Sequence, residues 1–272
     1  MIQAALLFVA MLAPVVAQAY IPPSEFIMKG VAQKRSPLKS ARVRGVVLGI
    51  NNEGALTGAK FTEETLYDGQ SGMIRSYALD EQNTELYRSE RMINKEVAAK
   101  ESAPLVSTVL FESKPQNMLV QFRRWGLPIK TEEELLRLSD EAERRSVEKT
   151  FFARQKLTAG LQVSWVLGEK AGNQLWVEKD TFLPVRILLS GSDKVDILVE
   201  NYRVTREVPF PRIITVSLDQ ERVFREEIQE FTVNPAETAD SRKGAQLGFT
   251  EAGNSADGDV RDLIRTFYKL VR

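Results

Sequence analysis

Two serine and lysine pairs of the chain have the spacing found in serine acyl enzymes, in which a lysine three residues after a serine activates its hydroxyl. They are Ser36 with Lys39 and Ser146 with Lys149. The sequence contains neither the Ser-Asp-Asn nor the Lys-Thr-Gly segment that completes such a site. We therefore attribute both pairs to chance, and an acyl-transfer enzyme built on either pair stays a third hypothesis.

Composition restricts the other catalytic and metal chemistry. The chain has no His and no Cys, which removes Ser-His-Asp and Cys-His catalysis and most zinc sites. Residues 254–259 are similar to a calcium loop, but aligning Gly258 with the turn position leaves Gly253 and Ile264 where acidic ligands are required. We predict no cofactor, no metal and no enzyme activity. A pair of catalytic carboxylates is the option that one sequence leaves open.

The charge balance bears on the class of partner. The 37 Lys and Arg residues are matched by 37 Asp and Glu residues, so the formal net charge is zero. A protein that binds nucleic acid through the phosphate backbone usually carries an excess of basic residues. We therefore predict no nucleic-acid partner.

The beginning of the chain predicts export. Residues 4–16 form an uncharged apolar run that is too short to cross a bilayer, and Ala17-Gln18-Ala19 follows with the pattern of a signal peptidase site. We predict a signal peptide over residues 1–19, cleaved between Ala19 and Tyr20. Because no Lys or Arg precedes the run, a buried N-terminal helix remains the alternative. Without Cys, the processed chain has no site for N-terminal lipidation and is expected to be soluble.

The elements that would position functional side chains are mostly strands. A short helix is predicted first, with Ser24 as its N-cap. Alternation of apolar and polar residues then predicts an antiparallel meander, with strands at residues 42–50, 60–67, 73–79 and 85–93. A second series of strands is predicted at residues 161–167, 174–179, 183–189, 194–205, 212–218 and 222–233. The segment 195–204 is apolar on both faces, so it must be covered on both sides or line a cavity.

Helices are predicted between the two series, at about residues 104–149, and again at the end. Met118, Leu119, Phe122 and Trp125 share one helical face, and Thr131 begins a capping box ahead of a charged surface helix. At the end, residues 235–258 predict a flexible linker and residues 259–272 an amphipathic helix. That helix could bind a partner or a membrane, or it could fold back on the sheet, which we favour.

Several segments carry a resemblance to a known family. Residues 173–187 combine a strand containing Trp176, an acidic turn with Lys179, and Leu183-Pro184. This hairpin resembles that of the periplasmic lipoprotein-carrier (LolA-like) superfamily. The order of the following segments, residues 199–202, 210–216 and 234–235, is similar to the same family. The signal peptide, the short first helix and residues 66–69 agree with it.

The resemblance implies an α+β, mainly β fold. It implies a strongly curved antiparallel sheet, an unclosed β-barrel, with helices covering its concave face around an apolar cavity for acyl chains. It also implies a periplasmic location. The carrier domain would span residues 20–234, with the helical insertion at about 104–149.

Two functional hypotheses follow from the resemblance. The first is a non-enzymatic binding protein that carries or senses lipid or lipoprotein acyl chains in the cell envelope, with transient membrane contact. The residues expected to line its cavity are Phe122, Trp125, Val163, Trp165, Leu167 and Leu188. For each of these residues, simple packing in a core is the competing interpretation. The second hypothesis is a structural or regulatory module on the same scaffold, whose C-terminal helix docks on an envelope protein.

Overall fold

The structure is a computed structural model, and it describes residues 22–51, 53–93, 102–138, 150–157, 160–236 and 247–272. For residue 152 and for residues 154–157 and 160–162 it describes the backbone alone. The predicted signal peptide and the pair of Ser146 with Lys149 lie outside the described residues.

Antiparallel strands form most of the described chain, and the meander predicted from alternation is present. The first strands are β1 (Ser40–Ile50), β2 (Leu56–Asp68), β3 (Met73–Leu79), β4 (Glu85–Met92), β5 (Thr150–Leu157), β6 (Gly160–Gly168) and β7 (Gln174–Glu178). The others are β8 (Pro184–Leu189), β9 (Val195–Glu200), β10 (Arg203–Thr205), β11 (Val208–Phe210), β12 (Ile213–Leu218), β13 (Glu221–Val233) and β14 (Gly248–Phe249).

Twelve of the described strands form one sheet, in the order β14-β4-β3-β2-β1-β13-β12-β9-β8-β7-β6-β5. The sheet consists of two meanders joined by β13, which pairs with β1 on one side and β12 on the other. Its two edge strands, β14 and β5, do not pair with each other, so the barrel is not closed. The α+β, mainly β fold with an unclosed, curved antiparallel sheet is confirmed.

Irregular pairing helps to curve the sheet. The register shifts between Arg44 and Gly45 where β1 pairs with β13, and between Leu48 and Ile50 where β1 pairs with β2. Such bulges bend a strand and increase its twist. A curved sheet has a concave face that helices can fill, and an outer face that stays in contact with water.

Alternation assigns the side chains to these two faces. Along β2, Phe61, Glu63, Thr65 and Tyr67 are buried on the concave face. On the outer face charged residues pair across strands, as Arg186 of β8 does with Asp196 of β9 through two hydrogen bonds of 2.8 and 2.5 Å. The core therefore lies on one side of the sheet.

Helices cover the concave face. The helices of the described residues are α1 (Ser24–Gln33), α2 (Leu105–Phe111), α3 (Pro115–Arg124), α4 (Glu132–Leu136), which buries no side chain, α5 (Glu251–Asn254) and α6 (Gly258–Leu270). Helix α2 is buried along its whole length, and the predicted capping box of Thr131 with Glu134 is present at the start of α4. None of the helices in the described ranges is long and apolar enough to cross a membrane.

Three sequence predictions require correction. The strand predicted over residues 194–205 ends at Glu200, because Asn201 has a φ of 56°, and its buried residues lie on one face only. Ser24 is not a cap, since Pro23 occupies the N-cap position and Ser24 lies inside α1. The stretch predicted to be a flexible linker contains β14 and α5, and β14 pairs with the edge strand β4.

Candidate functional site

The candidate site is the concave face, and the structure brings most of the predicted lining residues to it. Phe122 and Leu167 are fully buried, and Trp165 is 7 % exposed. Val163 is half-buried on the same side of β6 as Trp165 and Leu167. Trp125 is half-buried at the end of α3, where its indole N–H donates to the carbonyl oxygen of Ala103 at 3.4 Å.

Leu188 does not join this group. It pairs with Gln174 and Asp196 across the sheet, whereas its neighbour Ile187 pairs with Leu175, the partner of Leu167. Directly opposed residues of antiparallel strands point to the same face, so Leu188 lies on the outer face. It contributes there to an open cleft shared with Arg186, and the prediction that it lines the concave face is wrong.

Helix α6 packs onto the concave face with the apolar stripe that the sequence predicts. Its buried residues are Leu263, Ile264, Phe267, Tyr268 and Leu270. Phe267 contacts Phe61 of β2 and Phe224 of β13, with ring centroids 5.5 and 5.7 Å apart. The helix therefore folds back on the sheet, as favoured above, and its apolar side covers part of the concave face.

A charged cluster lies beneath the end of α6. Arg272 donates from Nη2 to Oε1 of Glu226 at 2.6 Å and from Nε to Oε1 of Glu63 at 3.2 Å, and all three side chains have zero exposure. The same Nε donates to the Thr65 hydroxyl at 3.1 Å, and that hydroxyl also bonds Glu63. One guanidinium thus serves two carboxyl groups from different strands.

The hydrogen bonds of this cluster are incomplete. Oε2 of Glu63, Oε2 of Glu226, Nη1 of Arg272 and the hydroxyl of Tyr268 are buried and have no partner among the described residues. Burial without a partner costs free energy because the group loses its bonds to water. The cluster is consequently a costly contact for its size.

Burial also controls the ionisation of the cluster. It raises the pKa of Glu226 to about 8, although Arg272 opposes the shift, and Glu63 raises it further. The pKa of Glu63 is raised as well, again mainly by burial. Burial alone would lower the pKa of Arg272, but Glu226 and Glu63 outweigh it and keep the guanidinium charged. Burial therefore favours the protonated form of both carboxyl groups, and Arg272 opposes that shift at each of them.

A second buried cation fixes the helices at the other end of the face. Arg35, just after α1, has zero exposure and donates from Nη1 to the carbonyl oxygen of Pro209 at 2.5 Å and from Nε to that of Val109 at 3.3 Å. Burial lowers its pKa, which Tyr202 partly offsets. Arg35 thereby connects α1 and α2 to the hairpin of β10 and β11.

The structure also places the serine and lysine pair that was singled out in the sequence. Ser36 and Lys39 are both exposed in the segment between α1 and β1. Among the described residues, no group of three or more acidic side chains is placed to hold a metal ion.

Sequence reasoning did not identify the buried ionic residues. Their signal was the parity of the strands: Glu63 has the same parity as Phe61 and Tyr67, and Glu226 the same parity as Phe224 and Ile228. A carboxylate at an inward position of an apolar row must be paired or protonated. That rule predicts a buried cation near these carboxyl groups, but it does not identify Arg272 as that cation.

The sequence matches no protein-family model and no curated protein. Among solved structures, it is similar to a LolA superfamily protein from Nitrosomonas europaea, at 9% identity and a TM-score of 0.45, over 80% of this chain and 96% of that one. It is also similar to a DUF1329 family protein from Desulfovibrio piger, at 10% identity and a TM-score of 0.41, over 80% of this chain and 95% of that one. The chain is thus similar to both proteins over most of its length.

Proposed function

We propose that this protein is exported to the periplasm, after removal of residues 1–19, and binds acyl chains of lipids or lipoproteins on the concave face of its sheet. It acts as a carrier or sensor and catalyses no reaction. The observation that carries the proposal is the way α6 is held. The apolar side of α6 packs on the concave face, and the segment that follows the helix ends in a buried ionic cluster with unmet hydrogen bonds.

The energetics favour α6 as the part that moves. Removing ionised groups such as a carboxylate or a guanidinium from water costs several kcal/mol per ion, and the attraction between them roughly balances that cost. The Arg272 cluster therefore specifies where α6 sits without adding much stability. A purely apolar contact at the same place would hold the helix more firmly.

An acyl chain can replace what α6 contributes. Each buried methylene group is worth ~0.8 kcal/mol, and the chain would contact the same aromatic surface that Phe267 covers now. Release of α6 returns Arg272 to water, where its charge is solvated. Binding of the ligand and release of α6 are therefore coupled, because both occupy the same surface of the sheet.

The first test is the content of the protein as it leaves the cell. The mature protein is purified from the periplasm without detergent, extracted with organic solvent, and analysed by mass spectrometry. We expect a lipid or lipopeptide at a stoichiometric ratio. A protein that is empty and also fails to bind a hydrophobic dye has a packed core with no carrier role.

A matched pair of variants locates the site. Val163→Arg places a charge on the concave side of β6, and Leu188→Arg places the same charge on the outer face. We expect acyl binding to fall at least tenfold in the first variant and to stay unchanged in the second, with circular dichroism showing that both are folded. Equal affinity in the two folded variants would contradict the proposed site.

The alternative function, an envelope interaction module, requires α6 to bind a partner protein. Its apolar face is already buried on the sheet, so the helix can dock on a partner only after release. Arg272→Met weakens the attachment without removing the helix. The module would be favoured if this variant captures more of an envelope protein than the unaltered chain does, and if neither of the two binds lipid.

A further inference from the structure

A cleft of about 340 Å³ opens beside α6 at the edge of the concave face. Its floor is β4, and its walls are the segment before α2, the end of α3 and the outer side of α6. The residues that line it are Tyr87, Arg91, Ser102, Pro104, Trp125, Arg265, Tyr268 and Lys269. The cleft therefore lies at the seam between α6 and the other helices.

The charges around this cleft are all of one sign. Arg91, Arg265 and Lys269 converge on it, and no described lining residue is acidic. Arg265 is partly neutralised by Asp262, which accepts a hydrogen bond of 3.0 Å from its Nη1. Neither Arg91 nor Lys269 has an ion pair with a described residue. Three cations in one cleft repel each other unless an anion joins them.

Arg91 provides the strongest evidence that the cleft binds a ligand. It belongs to the concave row of β4, because it pairs with Ile74, which in turn pairs with Tyr67. Its Nε is buried and has no hydrogen-bond partner among the described residues. A desolvated guanidinium donor without an acceptor is costly. An anionic oxygen in the cleft would satisfy it and would screen the repulsion from Lys269.

The other walls suit an amphiphile. Tyr87, Trp125 and Tyr268 give the cleft aromatic sides. A molecule whose charged end occupies the cleft would have its apolar end directed under α6 and onto the concave face. The cleft is therefore the place where such a molecule would first contact the protein, while α6 is still docked.

We propose that this cleft binds the phosphate group of an acylated amphiphile, with Arg91 and Lys269 as its principal partners. A guanidinium can donate two parallel hydrogen bonds to a phosphate, and an ammonium adds a mobile point charge. The acyl part of this assignment rests on the proposed function. The anion part does not, because it depends on the cleft alone.

The test compares three probes by isothermal titration calorimetry, with the two lipids kept below their critical micelle concentrations. They are palmitoyl lysophosphatidic acid, the uncharged glycerol monopalmitate with the same chain, and inorganic phosphate. We expect the first probe to bind at least tenfold more tightly than the second, and inorganic phosphate to compete with the first. The ratio between the affinities of the two lipids should decrease as salt is added, because salt screens the charge of the phosphate.

Two double variants assign the effect to the cleft. Arg91→Gln with Lys269→Gln removes two cations from it, and Lys170→Gln with Lys194→Gln removes two from the cleft on the outer face. We expect the first pair to abolish the preference for the phosphate-bearing lipid and the second to retain it. Unfolding midpoints of both are compared with that of the unaltered chain.

The outcomes separate this proposal from the one before it. Equal binding of the two lipids, or a preference that survives Arg91→Gln with Lys269→Gln, overturns the anion site and leaves acyl binding in place. Binding of phosphate that depends on Arg91 and Lys269, with no binding of either lipid, supports the anion site and contradicts the carrier function.

Discussion

Arg272 and Glu226 form a hydrogen-bonded ion pair of 2.6 Å in which neither side chain is exposed to solvent. The pair connects the segment after α6 to the strand that joins the two meanders. Because Glu63 of β2 takes the second bond of the same guanidinium, a single side chain ties the helix to both halves of the sheet.

Replacing Arg272 by Met should destabilise the protein strongly. Removal of one partner leaves Glu63 and Glu226 buried without a cation, which costs about 3 to 5 kcal/mol in comparable sites. The free energy of unfolding, measured with urea, should fall by that amount. In the triple variant that adds Glu63→Leu and Glu226→Leu, most of the loss should be recovered. A triple variant no more stable than Arg272→Met would contradict the ionic account.

Stability should depend on pH through Glu226. Its pKa is about 8 in the folded protein and close to the ordinary 4.5 in the unfolded chain, so between these values the folded state binds more protons. Stability is then fully present below about pH 4.5 and is lost as pH rises toward 8, by at most about 1.4 kcal/mol per unit. Urea unfolding at intervals across this window should show the decline, and the Glu226→Gln variant should show less of it.

Gly253 should be intolerant of a side chain. A Cβ there would lie 1.9 Å from the carbonyl oxygen of Leu86, so Gly253→Ala must push α5 away from β4. We expect a loss of stability and faster amide hydrogen exchange throughout α6. Gly258→Ala, at the start of α6, meets nothing within 4 Å and should be neutral or stabilising by up to about 1 kcal/mol. Similar exchange rates in both variants would show that the packing of α5 against β4 does not hold α6 in place.

Arg35→Met should loosen the opposite end of the concave face. The change removes the bonds to Val109 and Pro209 and leaves two buried carbonyl oxygens without those donors. A loss of about 2 to 4 kcal/mol in the free energy of unfolding is expected. Lys39→Met, at an exposed position of the turn after α1, serves as the control and should change stability by less than about 0.5 kcal/mol.

The sheet was predictable because its signal is local. Alternation in β2 and the turn residues before β3 are visible within a few positions, and so is the apolar stripe of α6. The face to which Leu188 belongs was not predictable in the same way. It depends on the register of β8 against β7, which shifts at Trp176 and Val177 through an irregularity that no short pattern encodes.

The buried charges were missed for a related reason. Glu63 and Arg272 are 209 positions apart, and each is unremarkable in its own segment. Only the fold brings them together, and only their zero exposure distinguishes them from surface residues. The cleft around Arg91 was equally invisible, since it combines β4, α3 and α6 from distant parts of the chain.

The position of β13 has a consequence for the order in which the chain folds. The strands β1 to β4 can form a meander early, since their contacts are close in sequence, but β1 receives its second neighbour only when residues 221–233 arrive. Contacts of such long range slow folding, because a large loop must close before they are rewarded. The bond between Glu63 and Arg272 spans a still longer part of the chain, 209 positions, and can form only when the last residue is in place. A chain in which α6 has not yet docked would expose the apolar concave face and a carboxyl group without its cation, and that form is the one to which a chaperone would bind.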